Sequence, residues 1–151
     1  MLDRPHLYDQ LDKGALGLLT VVSGPAGTGK TDLLISWLNQ LESPAAVRWI
    51  AGAAPFWSEM EAAIGTPSVR AVVENDRPVT VVLDDFPGAT PQLASDLLAL
   101  ARNTTNLRVI IVGRRSLSTE FLGLRLAGQL YEIDATQLAF DVEEIRRLAA
   151  L

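Results

Sequence analysis

Apolar, β-rich runs alternate along this chain with stretches whose apolar residues recur every three or four positions. That alternation predicts an α/β domain of parallel strands joined by crossover helices. A first strand is expected over about 17–23, with Leu18, Leu19, Val21 and Val22, and a helix over about 30–42, with Leu33, Leu34, Trp37, Leu38 and Leu41 on one face. A short strand over Ala46–Ala51 follows. The region around Pro55, Gly65 and Pro67 reads as two short helices, about 56–64 and 67–75. Arg77-Pro78 introduces the most apolar run, Val79 to Asp84. Thr90 and Pro91 then have the chemistry of a helix start, for a helix to about Asn103. Leu107–Gly113 is a fourth strand, 116–123 a loop with a helical turn, and Leu130–Ile133 a fifth strand. Asp141 and Glu144 are spaced as a capping box opening a last helix, apolar at Val142, Ile145, Leu148 and Ala149. The chain stops inside that helix, so the expectation is a cut segment that continues elsewhere.

One interval between the periodic segments carries chemistry. Residues 24–31, Gly24-Pro25-Ala26-Gly27-Thr28-Gly29-Lys30-Thr31, satisfy G-x-x-x-x-G-K-[ST], between a strand and a helix as the motif requires. Glycines let the backbone curl until several N–H groups point at one anion, and the following helix adds its positive end. Lys30 is expected to reach the β/γ-phosphates and the Thr31 hydroxyl to ligate Mg²⁺. The run Val79–Asp85 ends in two acids, as the strand that supplies a magnesium carboxylate does. Asp84 is expected to hold Mg²⁺, and Asp85 to orient or deprotonate an attacking water. Phe86-Pro87-Gly88 also makes that pair the capped end of a strand entering a turn. Arg114, past the fourth strand, is placed to sense a γ-phosphate at the edge where open α/β sheets bind ligands.

Composition narrows the classes. The chain has 151 residues, enough for one domain with its own core. It is 48 % hydrophobic and 21 % charged, the balance of a folded domain. Thirteen bases against eighteen acids leave a net charge of −5, and with no basic stripe direct nucleic-acid binding is not expected. The absence of cysteine excludes disulfides and zinc–thiolate sites. The lone His6 has no partner cluster for a metal, no nucleophile elbow is present, and Trp37, Trp49 and Trp57 read as core or sheet-face residues. No membrane-length apolar run and no signal-peptide core occur, so the expected address is cytoplasmic.

Together these residues resemble the nucleotide-binding domain of large LuxR-type transcriptional regulators of the maltose-regulator kind, within the signal-transduction ATPases (STAND). The likeness covers nearly the whole chain. It rests on Arg4-Pro5-x-Leu7 with Leu11, on Ser23–Thr31 with Trp37, and on Leu83-Asp84-Asp85-Phe86. It rests also on Val112-Gly113-Arg114, on Gln129–Ile133 and on Gln137–Phe140. The resemblance implies a three-layer P-loop NTPase fold with a five-stranded parallel sheet of order 5-1-4-3-2 and helices on both faces. It implies a single domain over 1–151, in which 1–16 is a lead-in helix contacting the base, 17–134 the core and 141–151 the start of a truncated helical segment. ATP or ADP with Mg²⁺ would lie in the loop, bordered by Arg4 and Pro5. The nucleotide state would set self-association or contact with downstream helical and sensor domains, with slow hydrolysis at most. A self-contained small kinase or ATPase, and a degenerate P-loop scaffold for protein association, are the alternatives.

Two departures from the family pattern bear on mechanism. The segment between the second and third strands is shorter than usual, which puts a lid there in question. Asp32 stands where threonine usually contacts the α-phosphate. In an empty site an acid in the first helical turn gains about 0.5 kcal/mol. A phosphate charge roughly 5 Å away, at an effective dielectric near 20, costs about 3 kcal/mol. If the carboxylate faces the phosphates, Asp32→Thr tightens ADP binding several-fold.

Overall fold

Strands that run apolar at successive positions belong in a sheet covered on both sides. The computed structural model describes residues 3–15, 17–41, 46–51, 79–84, 107–115 and 121–151. The helices expected over 56–64, 67–75 and 90–103, together with Asp85, lie outside these. The elements in chain order are α1 (Pro5–Gly14), β1 (Leu19–Ser23), α2 (Lys30–Gln40), β2 (Ala46–Ala51), β3 (Val79–Asp84) and β4 (Leu107–Gly113). After these come α3 (Leu122–Leu126), β5 (Leu130–Ile133), α4 (Ala135–Leu138) and α5 (Val142–Ala149).

The five strands form one sheet in the order β2-β3-β4-β1-β5, every pair parallel. Val22 sits opposite Val112 on one side and Ile133 on the other, and Leu83 opposite Ile111. This register puts the ends of β1, β3 and β4 at one edge. The Gly24 N–H donates to the Gly113 carbonyl at 3.1 Å, fixing the start of the loop against the end of β4.

Successive side chains alternate between the two faces of the sheet. Val22, Val82, Ile110, Val112 and Ile133 join one cluster with Leu7, Tyr8 and Leu11 of α1, Leu33, Leu34 and Trp37 of α2, and Leu138 of α4. Leu19, Val21, Val81, Leu83, Val109 and Ile111, of the other parity, are equally buried. Trp37 is a core residue with one polar tie: its indole N–H donates to Asp12 Oδ1 at 2.8 Å, locking α2 to α1.

The C-terminal segment departs from a simple amphipathic reading. Two capping boxes follow one another, Asp134 with Gln137 and Asp141 with Glu144. The first opens α4, a turn of helix that apolar periodicity gave no reason to expect. In α5 the buried residue is Glu144, at 1 % exposure, whereas Val142, Ile145 and Leu148 are 65 %, 54 % and 40 % exposed. The helix docks through an ion pair and leaves its apolar stripe outward.

Candidate phosphate-binding site

The backbone of the loop has the curl its glycines permit. Gly27 and Gly29 have φ of 82° and 78°, the left-handed region that costs a side-chain-bearing residue about 1–2 kcal/mol. Lys30 is folded back over the loop: Nζ donates to the carbonyls of Gly24 and Pro25, both at 2.8 Å, and more weakly to Thr28 Oγ1 at 3.4 Å. Thr28 Oγ1 in turn donates to the Pro25 carbonyl at 2.9 Å. The ammonium therefore braces the loop from inside, turning two carbonyls toward itself and leaving the amides to an anion.

On β3, the half-buried Asp84 receives a hydrogen bond from Thr31 Oγ1, at 3.3 Å to Oδ2. Two adjoining hard oxygens, a hydroxyl and a carboxylate, suit Mg²⁺, which completes its shell with water and phosphate oxygens. Among the described residues no group of three acidic or histidine side chains forms a ready-made metal cage. Thr31 and Asp84 together thus offer a partial shell of the kind Mg²⁺ takes with a phosphate ligand.

Beyond the loop lies a cavity of about 210 Å³ lined by Arg4, Thr28, Gly29, Asp32, Leu33, Ser36, Phe140 and Leu148. Thr28 and Gly29 form its loop end, α2 one wall, and the N-terminal and C-terminal segments the other. The helix turns about 100° per residue, so Thr31, turned to Asp84, and Asp32, turned to the cavity, serve different sides of α2.

The second wall is held by Arg4. Its Nε donates to Glu144 Oε1 at 2.8 Å, and its Nη2 to the carbonyls of Leu138 at 2.8 Å and Ala139 at 3.1 Å and to Glu144 Oε2 at 3.2 Å. The guanidinium also lies 4.5 Å from the centroid of Phe140. Arg4 is 5 % exposed, so its charge is committed to the protein, and it borders the cavity without offering a free cation. Sequence reasoning placed Arg4 here but missed Glu144, Phe140, Ser36 and Leu148. A helix-capping glutamate carries no mark of a partner 140 positions away.

Burial by itself would push the Glu144 carboxyl up. The Arg4 hydrogen bond, the Asp141 amide and the charges of Arg4 and His6 outweigh it and hold the carboxyl below its usual value of 4.5. His6 Nδ1 lies 3.9 Å from Glu144 Oε1. A lowered carboxylate contributes stability that is complete above the unfolded value and is lost as pH falls through the folded one. Denaturant titrations should show stability falling below pH 4.5, and Glu144→Gln should flatten that slope. An unchanged slope in the variant would assign the acid sensitivity elsewhere.

The remaining expected residues are placed as follows. Pro25 and Ala26 are exposed on the loop. Pro5 is the exposed first residue of α1, where a missing N–H costs nothing. Arg114 is exposed just past β4, at the sheet edge that bears the loop. No helix among the described residues is long and apolar enough to cross a membrane.

No protein-family model and no curated protein matches the chain. Solved structures do. A STAND protein with a tetratricopeptide-repeat sensor from Pyrococcus horikoshii superposes with a TM-score of 0.62 at 16 % identity, over 99 % of this chain and 25 % of that one. Cdc6p from Pyrobaculum aerophilum gives 0.59 at 16 %, over 97 % and 48 %. The Drosophila ORC structure bound to GC-rich DNA and Cdc6 gives 0.58 at 11 %, over 96 % and 64 %. What the chain shares with them is the fold, a parallel α/β sheet with helices. At these identities the likeness is one of architecture, and the chain spans less than two thirds of each of these structures.

Proposed function

We propose that this P-loop domain is an ATP/ADP-binding switch module of a signal-transduction ATPase, the N-terminal nucleotide-binding part of a LuxR-type regulator. The observation that carries this reading is the continuity of the site. A braced anion loop, an adjoining Thr31–Asp84 oxygen pair and a cavity of about 210 Å³ meet around the start of α2. Bound Mg²⁺ and nucleotide would supply the charge compensation and the hydrolysable anhydride. Thr31 and Asp84 would hold the metal, Lys30 and the loop amides would hold the phosphates, and Arg114 and Asp85 are assigned to the γ-phosphate and its attacking water. Support for the regulator family comes from the blocks Gln129–Ile133 and Gln137–Phe140, which no generic phosphate loop needs. The outward apolar side chains of Val142 and Ile145 suit contact with a downstream helical domain or a second copy.

A switch binds well and turns over slowly. A melting-temperature rise with either ATP or ADP, together with phosphate release well below one per minute, supports the proposal. Fast turnover stimulated by a small acceptor supports a kinase instead, and no shift with either nucleotide supports a protein-association scaffold. The metal role has its own test. Asp84→Asn should weaken ADP binding about tenfold in magnesium and leave it unchanged in EDTA. Equal losses in both conditions would make Asp84 structural.

A further inference from the structure

Asp32 is an exposed carboxylate on the cavity wall, and among the described residues it has neither a hydrogen-bond nor an ion-pair partner. Its neighbours along the cavity set the order in which a ligand would meet it. Thr28 and Gly29 close the loop end, Asp32 follows, and Leu33, Phe140 and Leu148 supply apolar surface. With phosphates on the loop amides, the next group of a nucleotide is its sugar, one ester bond from the α-phosphate. A nucleotide laid along the cavity from the loop would bring its sugar beside Asp32 and its base toward Phe140 and Leu148. An ionised carboxylate only accepts hydrogen bonds, and a vicinal diol offers two donors of matching spacing. Carboxylates elsewhere recognise ribose hydroxyls in this way.

We propose that Asp32 is a specificity-determining residue. It accepts hydrogen bonds from the 2′- and 3′-hydroxyls of a ribose, so the cavity takes ribonucleotides in preference to their deoxy counterparts. The inference rests on nucleotide binding at the loop, as proposed above. It also gives the acidic substitution two separable consequences. The like charge weakens every phosphate ligand alike, whereas the diol contact favours ribose ligands alone.

The test is calorimetric binding of ADP, 2′,3′-dideoxy-ADP and inorganic tripolyphosphate, in magnesium, to the full chain and to Asp32→Ala. The expected result is that the full chain prefers ADP to the dideoxy analogue about tenfold. In Asp32→Ala that preference collapses toward one while tripolyphosphate binds more tightly. Equal affinity for the two nucleotides in the full chain, or a preference that survives in Asp32→Ala, overturns the assignment and leaves nucleotide binding standing. Failure of all three ligands to bind the full chain overturns the nucleotide reading and this inference with it. An unchanged melting temperature of ligand-free Asp32→Ala checks that the exposed site tolerates the change.

Discussion

Glu144→Ala should lower the melting temperature by roughly 10 °C or more. The substitution leaves the Arg4 guanidinium, only 5 % exposed, without its carboxylate, and removing one partner of a buried ion pair costs about 3–5 kcal/mol. In a domain of about this size each kcal/mol moves the midpoint by roughly 2–4 °C. The same change removes half of the capping box that starts α5. Two controls separate these contributions. Glu144→Gln keeps a side chain able to accept from the Asp141 amide but deletes the charge, so it should fall between wild type and Glu144→Ala. Arg4→Met combined with Glu144→Leu removes both charges, and should recover most of the loss because no unpaired ion remains. A drop of only 2–3 °C in Glu144→Ala would mean that the guanidinium is satisfied by the Leu138 and Ala139 carbonyls alone. Because the clasp carries Phe140 and Leu148, ADP affinity should fall with stability, and ADP should restore part of the midpoint.

Lys30→Ala should abolish nucleotide-induced stabilisation. A micromolar site at millimolar ligand adds about 4 kcal/mol to folding stability, and that whole increment depends on the loop accepting phosphate. Without ligand the variant should lose only about 1–2 kcal/mol: the exposed Pro25 carbonyl can bond to water in place of Nζ, and only the carbonyl of buried Gly24 loses a donor. The measurement is a pair of melting curves, with and without Mg-ADP, for wild type and variant. A ligand-free variant that unfolds would make Lys30 a structural brace above all. A variant that still shifts with ADP would put the phosphates somewhere other than the loop.

The strands and the loop were legible in the sequence for a common reason: both are written in neighbouring residues. Val79–Asp84, Leu107–Gly113 and Leu130–Ile133 occupy the spans that their apolar runs mark out, and β1 is two residues shorter than expected at its start. Parallel strands buried on both faces need unbroken apolar sequence, so they announce themselves. The capping box of α5 was readable because both its members lie within four residues. That of α4 was equally present in Asp134 and Gln137, but four residues offer no periodicity to draw attention to it. The burial of α5 was not legible. Its apolar stripe points outward and a glutamate points inward, because the strongest interaction available to that helix is a charge supplied by the other end of the chain.

By itself, then, the sequence determined a parallel α/β chain with a polyphosphate loop ahead of a helix and a carboxylate at the end of a later strand. Each of these follows from local sterics, periodicity or spacing. Tertiary structure decided what stands opposite what. It set Thr31 against Asp84, 53 positions on, and Arg4 against Glu144, 140 positions on. It also turned Asp32 to the cavity rather than to the metal side of α2. Such pairings depend on where the sheet brings separate segments together, and burial then makes them strong by excluding the water that would otherwise compete for the same charges.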